Sequence, residues 1–219
     1  MRRKILLMMV VFVVAVHQGY SKEEDAQTNE KTVTAQGSWG VELKNVNSKL
    51  RRFRTHKNES TTGFAVELFY NHSDDGITQY LGYVSHEFEG DRSYSNTWSS
   101  QYTNLKASAI YTGLLFELNT GTKVRMLFNA EVGQSKTSNS TYIINNAIYT
   151  RIEGGDSLYY GYGLGFKRSF GNNDEYYVTA SYVYRNYGIQ KGSLDHPLNT
   201  VQDQLLETDS IDVSIGVNF

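Results

Sequence analysis

Two places where Ser and His are neighbours are the part of the sequence that could do nucleophilic chemistry. His72 is followed by Ser73, and Ser85, His86 and Glu87 are consecutive. A serine nucleophile needs a base within hydrogen-bond reach, but adjacent residues of a β-strand point to opposite faces of the sheet. The triplet therefore does not supply a nucleophile and its base, and we interpret it as a surface feature. The chain has no Cys, so thiolate chemistry is excluded. We predict no catalytic residue, no metal site and no cofactor.

A basic cluster early in the chain could bind anions. Its members, with no acid between them, are Lys49, Arg51, Arg52, Arg54, His56 and Lys57. A guanidinium group can pair with phosphate or sulfate through two parallel hydrogen bonds. Two interpretations stay open: a solvated loop that touches lipopolysaccharide phosphates, or a site that captures a polyanion such as a host glycosaminoglycan. Acids of the opposite sign lie near the end of the chain, at Asp195, Asp203, Glu207 and Asp209.

The elements that must position these residues are segments in which apolar and polar residues alternate, the period of a half-buried β-strand. Eight segments are predicted, at 38–49, 61–72, 77–88, 103–118, 123–134, 158–170, 175–187 and 207–219. The alternation of 77–88 is poor, and it does not assign the faces of that segment. Short turn sequences follow the second, fourth and sixth segments. Long gaps follow the others, at 50–60, 89–102, 135–157 and 188–206. Short turns would thus all lie at one end of an up-and-down barrel, which is the asymmetry of outer-membrane barrels.

The amino-terminal end points to export. Arg2, Arg3 and Lys4 precede an apolar run of 12 residues, 5–16. This is the pattern of a secretory signal peptide, and the run is too short for a spanning helix, which needs roughly 20 residues. We therefore predict a signal peptide at 1–21, a flexible lead-in at 22–36 and a single barrel domain at 37–219.

The carboxy-terminal segment has strict alternation from Ile211 to Phe219. Together, the stretches YYGYGLGF at 159–166, YVTASY at 177–182 and IGVNF at 215–219 resemble the final three strands of the OmpX/Ail/opacity-type small barrels and the OmpA-like transmembrane domain. That family often ends in Gly-x-x-Tyr-x-Phe, and this chain lacks the Tyr, so the resemblance is to the superfamily. It implies an all-β, eight-stranded antiparallel transmembrane barrel whose terminal Phe219 is read as a signal by the barrel assembly machinery.

Charged residues that alternate with the apolar ones would face the barrel interior. They are Glu42, Lys44, Glu67, Glu117, Arg125, Glu131, Lys167, Arg185 and Asp212. An eight-stranded barrel is just wide enough for side chains to fill it, and buried charges must pair to offset their desolvation. We expect a packed polar plug, with a narrow, porin-like ion path as the alternative.

The resemblance implies a monomeric, non-enzymatic surface protein of a Gram-negative outer membrane, acting in adhesion, immune evasion or envelope integrity. Its expected partners are outer-membrane lipid, lipopolysaccharide and a host polyanion or protein. The formal charge of −2 gives no general attraction to nucleic acid.

Two other functions stay open. Lipid A deacylases and palmitoyl transferases of the outer membrane use a His and a Ser near the outer rim. A lipid-modifying enzyme on this barrel would therefore need such a pair at the outer leaflet. The third function is a soluble periplasmic binder, because Gly37, Ser38 and Trp39 match the Gly-x-Trp opening of lipocalins. The terminal helix and apolar interior of lipocalins are not visible in the sequence.

Overall fold

Ten β-strands form within the residues that the computed structural model describes, which are 38–51, 60–71, 77–95, 98–120, 123–144, 147–171, 175–193 and 204–219. They are β1 (Ser38–Leu50), β2 (Ser60–Asn71), β3 (Ile77–Ser95), β4 (Trp98–Asn119), β5 (Val124–Thr137), β6 (Ser140–Ile144), β7 (Ala147–Glu153), β8 (Asp156–Phe170), β9 (Tyr176–Ser193) and β10 (Gln204–Asn218). Across those ranges, no helix is long and apolar enough to cross a membrane. The predicted signal peptide and lead-in lie outside the described residues.

Eight of the strands close into an antiparallel barrel in the order β1, β2, β3, β4, β5, β8, β9, β10 and back to β1. The closing seam joins the first and last strands, so that Val41 of β1 lies opposite Leu68 of β2 on one side and Val217 of β10 on the other. Closure gives a hydrogen-bond partner to the backbone N–H and C=O groups that would be unpaired at a sheet edge. Lipid requires this, because it offers no partner for such groups. The predicted eight-stranded antiparallel barrel is confirmed.

The outer surface of the barrel is apolar, because alternate residues of each strand point away from the interior. Leu43, Ile110, Ile211 and Ile215 are each at least 60% exposed, which a barrel surrounded by water would not tolerate over so wide a band. Aromatic residues lie at both ends of the band, where the rings of membrane proteins meet the lipid headgroups. At the turn end they are Trp39, Phe170, Tyr176 and Phe219, and at the loop end Phe64, Tyr83, Tyr160, Tyr162 and Tyr182.

Inward glycines make room for large rings inside the barrel. A Cβ added at Gly216 would collide with the ring of Tyr177, and one added at Gly40 would collide with the ring of Phe69. The same relation joins Gly82 to Tyr111 and Gly113 to Tyr80. Each glycine is the register partner of its aromatic residue on the neighbouring strand. Since interiors are close-packed, these rings can lie over the adjacent strand only where the paired residue has no side chain.

Two of the predicted long loops are largely strand, and the sequence prediction was wrong there. In place of a loop at 89–102, β3 continues to Ser95 and β4 begins at Trp98. Within 135–157, β6 and β7 form a hairpin that pairs with β4 on one side and with β9 on the other. These strands lie beyond the apolar band, where no face has to contact lipid. Alternation, the signal that the prediction used, is therefore weak there although the backbone ladder continues.

Candidate functional site

A buried ion-pair network fills the middle of the barrel interior. The guanidinium of Arg185 meets Asp212 through two hydrogen bonds, with Nη2 to Oδ2 at 2.5 Å and Nη1 to Oδ1 at 3.2 Å. Its Nε lies 3.3 Å from Oε1 of Glu131, which also accepts a 2.6 Å hydrogen bond from the hydroxyl of Tyr159. Arg185 and Asp212 are fully buried. One cation therefore pairs with two carboxylates that come from different strands.

A second group of interior charges lies toward the turn end. Nζ of Lys44 is 2.8 Å from Glu67 and 3.7 Å from Glu42. The hydroxyl of Tyr111 donates to Glu67 at 2.8 Å, and that of Tyr177 donates to Glu42 at 3.1 Å. Both carboxylates are nearly inaccessible to solvent, so these phenol and ammonium donors replace the water that each would otherwise need.

The remaining predicted interior charges meet at the turn end itself. Glu117 accepts from Lys167 at 2.6 Å and from Arg125 at 3.0 Å. A cavity of about 10 Å³, room for about one water, lies beside them and is lined in part by Glu42, Glu67 and Glu117. All nine residues predicted for the interior are thus paired, in three groups that follow one another along the barrel.

An apolar layer closes the interior at the loop end. Leu50, Phe88, Leu105 and Leu206 point inward and are at most 2% exposed. Sequence alternation alone did not predict this layer, because these residues lie near, at or beyond the ends of the predicted segments. A continuous apolar layer above paired charges favours a plug that stabilises the barrel over an ion path, because an ion would lose its hydration there without gaining a partner.

Ser48, Ser210 and His86 meet inside the barrel just below this layer. Oγ of Ser48 lies 3.2 Å from Nδ1 of His86 and 2.7 Å from Oγ of Ser210. The sequence interpretation of His86 as a surface residue was wrong, since the side chain is 1% exposed and packs on Phe88 and Tyr187. The pair resembles a nucleophile and base in spacing, but it faces the sealed interior and not the outer leaflet, where a lipid substrate would lie.

The described part of the basic cluster lies against acids of β10. Nε of Arg51 is 3.6 Å from Oδ2 of Asp209, and this carboxylate raises the pKa of Arg51. Lys49 lies opposite Asp209 in the β1–β10 ladder. Arg52, Arg54, His56 and Lys57 lie outside the described residues. Glu207 and Asp209 therefore partly balance the positive charge of Lys49 and Arg51, where the first loop begins. The sequence alone did not indicate these partners.

A hydrogen-bonded group on the outer face beside Arg51 was missed by the sequence analysis. Tyr184, Asn186 and Glu207, here called the rim network, are at most 8% exposed. The hydroxyl of Tyr184 donates to Glu207 at 2.5 Å, and Nδ2 of Asn186 donates to Glu207 at 3.4 Å and to the hydroxyl of Tyr160 at 3.1 Å. Only the register between β8, β9 and β10 brings these side chains together, so the sequence carries no local signal for them.

The terminal Phe219 lies at the seam of the barrel. Its backbone N–H donates to the carbonyl of Trp39 at 2.8 Å, and the N–H of Trp39 donates to the carbonyl of Phe219 at 3.1 Å. The ring is 73% exposed at the turn end of the apolar band. The residue expected to signal assembly is therefore accessible on the outer surface next to the first strand.

Comparison with known proteins identifies the fold. No protein-family model matches the chain, and no curated sequence does. Among solved structures, the chain is similar to Neisserial surface protein A of Neisseria, with a TM-score of 0.53 and 10% identity over 84% of this chain and 97% of that chain. It also matches a major outer membrane protein of Thermus thermophilus (TM-score 0.49, 10% identity, 84% of this chain and 100% of that chain) and Ail of Yersinia pestis (TM-score 0.38, 17% identity, 84% and 97%). The first likeness shows that the fold is that of a small eight-stranded outer-membrane barrel. With the apolar band on its outer face, this fold agrees with a location in the cell outer membrane.

Proposed function

We propose that this chain is a non-enzymatic outer-membrane protein that presents its loop end at the cell surface for adhesion, immune evasion or envelope integrity. The observation that carries the proposal is the division of the barrel into a lipid-facing band and a long extension at one end only. The band ends near Phe64, Tyr83 and Tyr160, whereas β3 and β4 continue to a connection between Ser95 and Trp98.

The extension is a continuation of the barrel wall. The β6–β7 hairpin joins β4 to β9 above the ends of β5 and β8, so that backbone pairing persists beyond the band. A wall of paired strands holds loops in fixed positions, and binding residues are common on loops that a rigid scaffold positions. This arrangement suits recognition of a partner outside the membrane.

The interior supports a structural role for the barrel itself. Its charges are paired and its loop end is closed by Leu50, Phe88, Leu105 and Leu206, so the loops and the outer rim remain as the surfaces for function. We propose lipopolysaccharide or a host polyanion or protein as the partner of the first loop, through Lys49, Arg51, Arg52, Arg54 and Lys57. The barrel is expected to act as a monomer after insertion by the assembly machinery.

The proposal can be tested by locating the two ends of the barrel in intact cells. An epitope inserted between Ile144 and Ala147, at the tip of the β6–β7 hairpin, should bind antibody without permeabilisation. The same epitope inserted at 172–174, between β8 and β9, is the matched control and should bind antibody only after permeabilisation. Accessibility of the second site alone in intact cells, or of neither site, would overturn the proposal.

A further inference from the structure

The loop end of the lipid-facing surface carries a group of exposed residues on β8, β9 and β10. Tyr160, Tyr162 and Tyr182 are 41%, 55% and 47% exposed. Arg51 is half exposed and Asp209 is partly exposed beside them. These five residues are called the tyrosine patch. Asp209 lies ten residues before Phe219, which is about 25 Å along the membrane normal for a strand tilted by about 40°. The patch is therefore at the level of the lipid headgroups.

The buried side chains of the rim network contact the exposed residues of the tyrosine patch and fix their positions. The buried Asn186 fixes the hydroxyl of Tyr160, and the ring of buried Tyr184 packs against that of Tyr162 at a centroid distance of 5.0 Å. Arg51 lies over the same Tyr184 ring, 5.4 Å from its centroid. An ordinary interfacial tyrosine needs only an apolar ring and a wet hydroxyl. Burying a carboxylate and an amide to orient such residues costs desolvation, and it produces the fixed geometry of a binding surface.

Positive and negative side chains are present in equal number in and around the tyrosine patch. Lys49 of β1 and Arg51, directly after that strand, lie next to Asp209, and Glu207 is buried close by. A ligand rich in phosphate would therefore meet carboxylates as well as cations. A saccharide fits better, because its hydroxyl groups can donate to a carboxylate and accept from a guanidinium. The C–H face of a sugar ring can also pack on exposed tyrosine rings.

The tyrosine patch faces one side of the barrel. On the β3 side, the aromatic residues at the loop end are Phe64 and Tyr83, whose rings pack on each other at 5.9 Å. Above them lies an exposed ion pair, with Nζ of Lys106 2.6 Å from Glu87. The side with the tyrosine patch and the side with Phe64 and Tyr83 thus present different side chains to the same leaflet. Variants on the second side therefore control for the general effect of aromatic residues at the membrane interface.

We propose that the tyrosine patch binds the saccharide headgroup of a glycolipid in the outer leaflet. Tyr160, Tyr162 and Tyr182 supply the faces for the sugar rings, and Arg51 and Asp209 hydrogen-bond to the hydroxyl groups. This inference rests on the membrane location in the proposed function and names a lateral partner of the barrel. The site shares Arg51 with the basic cluster of the first loop, but its ligand lies in the plane of the membrane.

The test uses the full chain folded into vesicles of three compositions. These are phosphatidylcholine alone, phosphatidylcholine with digalactosyl diacylglycerol, and phosphatidylcholine with phosphatidylglycerol. The first addition supplies a neutral saccharide and the second supplies charge without sugar. The midpoint of thermal unfolding is followed by the gel-mobility change of the heated barrel. We expect digalactosyl diacylglycerol to raise the midpoint by about 3 °C or more and phosphatidylglycerol to raise it less, because a ligand of the folded state stabilises by mass action.

Variants then assign the effect to the tyrosine patch. The double variant Tyr162→Leu and Tyr182→Leu keeps an apolar outer face and should lose the glycolipid-dependent rise, whereas Tyr83→Leu on the other side should retain it. If the double variant does not fold, Tyr160→Phe removes only the hydroxyl held by Asn186 and should lose part of the rise. Equal losses in the double variant and in Tyr83→Leu would overturn the proposal, as would an equal rise with phosphatidylglycerol. Failure of surface labelling in cells, with the glycolipid effect intact, would instead overturn the proposed function.

Discussion

Arg185 is the residue whose loss should cost the barrel most. Its guanidinium is fully buried and pairs with Asp212 at 2.5 Å and with Glu131 at 3.3 Å. Replacing it with Met keeps much of the apolar stem and removes the charge. Two buried carboxylates then lose their shared cation in a space too narrow for bulk water.

The expected magnitude follows from this geometry. Removing one partner of a buried ion pair costs about 3–5 kcal/mol of unfolding free energy, because the other charge is left uncompensated. Since two carboxylates are stranded, we expect Arg185→Met to lie at the upper end of that range. Adding Asp212→Asn removes one stranded charge and should restore about 0.5–3 kcal/mol, the coupling typical of residues in one network.

Urea unfolding in vesicles, followed by tryptophan fluorescence and extrapolated linearly to zero urea, measures these differences. Lys106→Met is the matched control, because the Lys106–Glu87 pair has a similar distance of 2.6 Å but both side chains are about half exposed. An exposed pair contributes at most about 1 kcal/mol. If Arg185→Met costs no more than Lys106→Met, or if Asp212→Asn does not restore stability, the interior network does not stabilise the barrel as argued.

Three further predictions concern the lipid face, the terminal residue and the first loop. Ile215→Arg should lower the free energy of unfolding by about 2–4 kcal/mol, because it places a charge in lipid near the midplane, and it should reduce partitioning into vesicles. Ser214→Arg, on the inner face, should instead crowd the interior. An equal loss of partitioning in both variants would show that the two faces are misassigned. Deleting Phe219 removes two backbone hydrogen bonds to Trp39 and should lower the free energy of unfolding in detergent by about 1–3 kcal/mol. The main effect should be on assembly, seen as a large loss of the protein from the surface of cells. Unchanged surface levels would end the assignment of Phe219 as an assembly signal. Changing Arg51, Arg52 and Arg54 together to Ser should abolish retention on heparin, which in the unchanged protein should weaken with salt as the Debye length falls from about 10 Å at 0.1 M to about 3 Å at 1 M. Retention that survives the triple change would place heparin binding elsewhere.

Alternation was sufficient to predict most of the barrel strands, as β1 and β10 illustrate, although it was poor in the segment that forms β3. In each, the side chains that alternate in sequence also alternate between lipid and interior, from Leu43 to Lys44 and from Ser214 to Ile215. The period of two is a local property of the extended chain, so it is visible without knowledge of any partner strand. The same signal failed for β6 and β7, because strands outside the band are not required to have an apolar face.

The pairing of the interior residues could not be read from the sequence. Alternation indicates that Glu42, Lys44 and Glu67 point inward, but not that one lysine lies between the two carboxylates. Glu42 also accepts hydrogen bonds from Tyr177 and Thr179, which lie at least 135 positions away along the chain. Such contacts depend on the register of every strand pair and on the tilt that closes the barrel.

The sequence by itself thus determined the membrane-spanning part of the eight barrel strands, the end of the barrel that carries the short turns and the charged residues that face inward, because these follow from local periodicity and turn chemistry. Only the tertiary structure decided that His86 is buried, that Leu50, Phe88 and Leu105 close the loop end, and that Arg51 meets Asp209 beside the rim network. The physical reason is that side chains from strands far apart in sequence meet only after closure fixes the shift between neighbouring strands. A shift of a single residue would turn every one of these side chains to the other face.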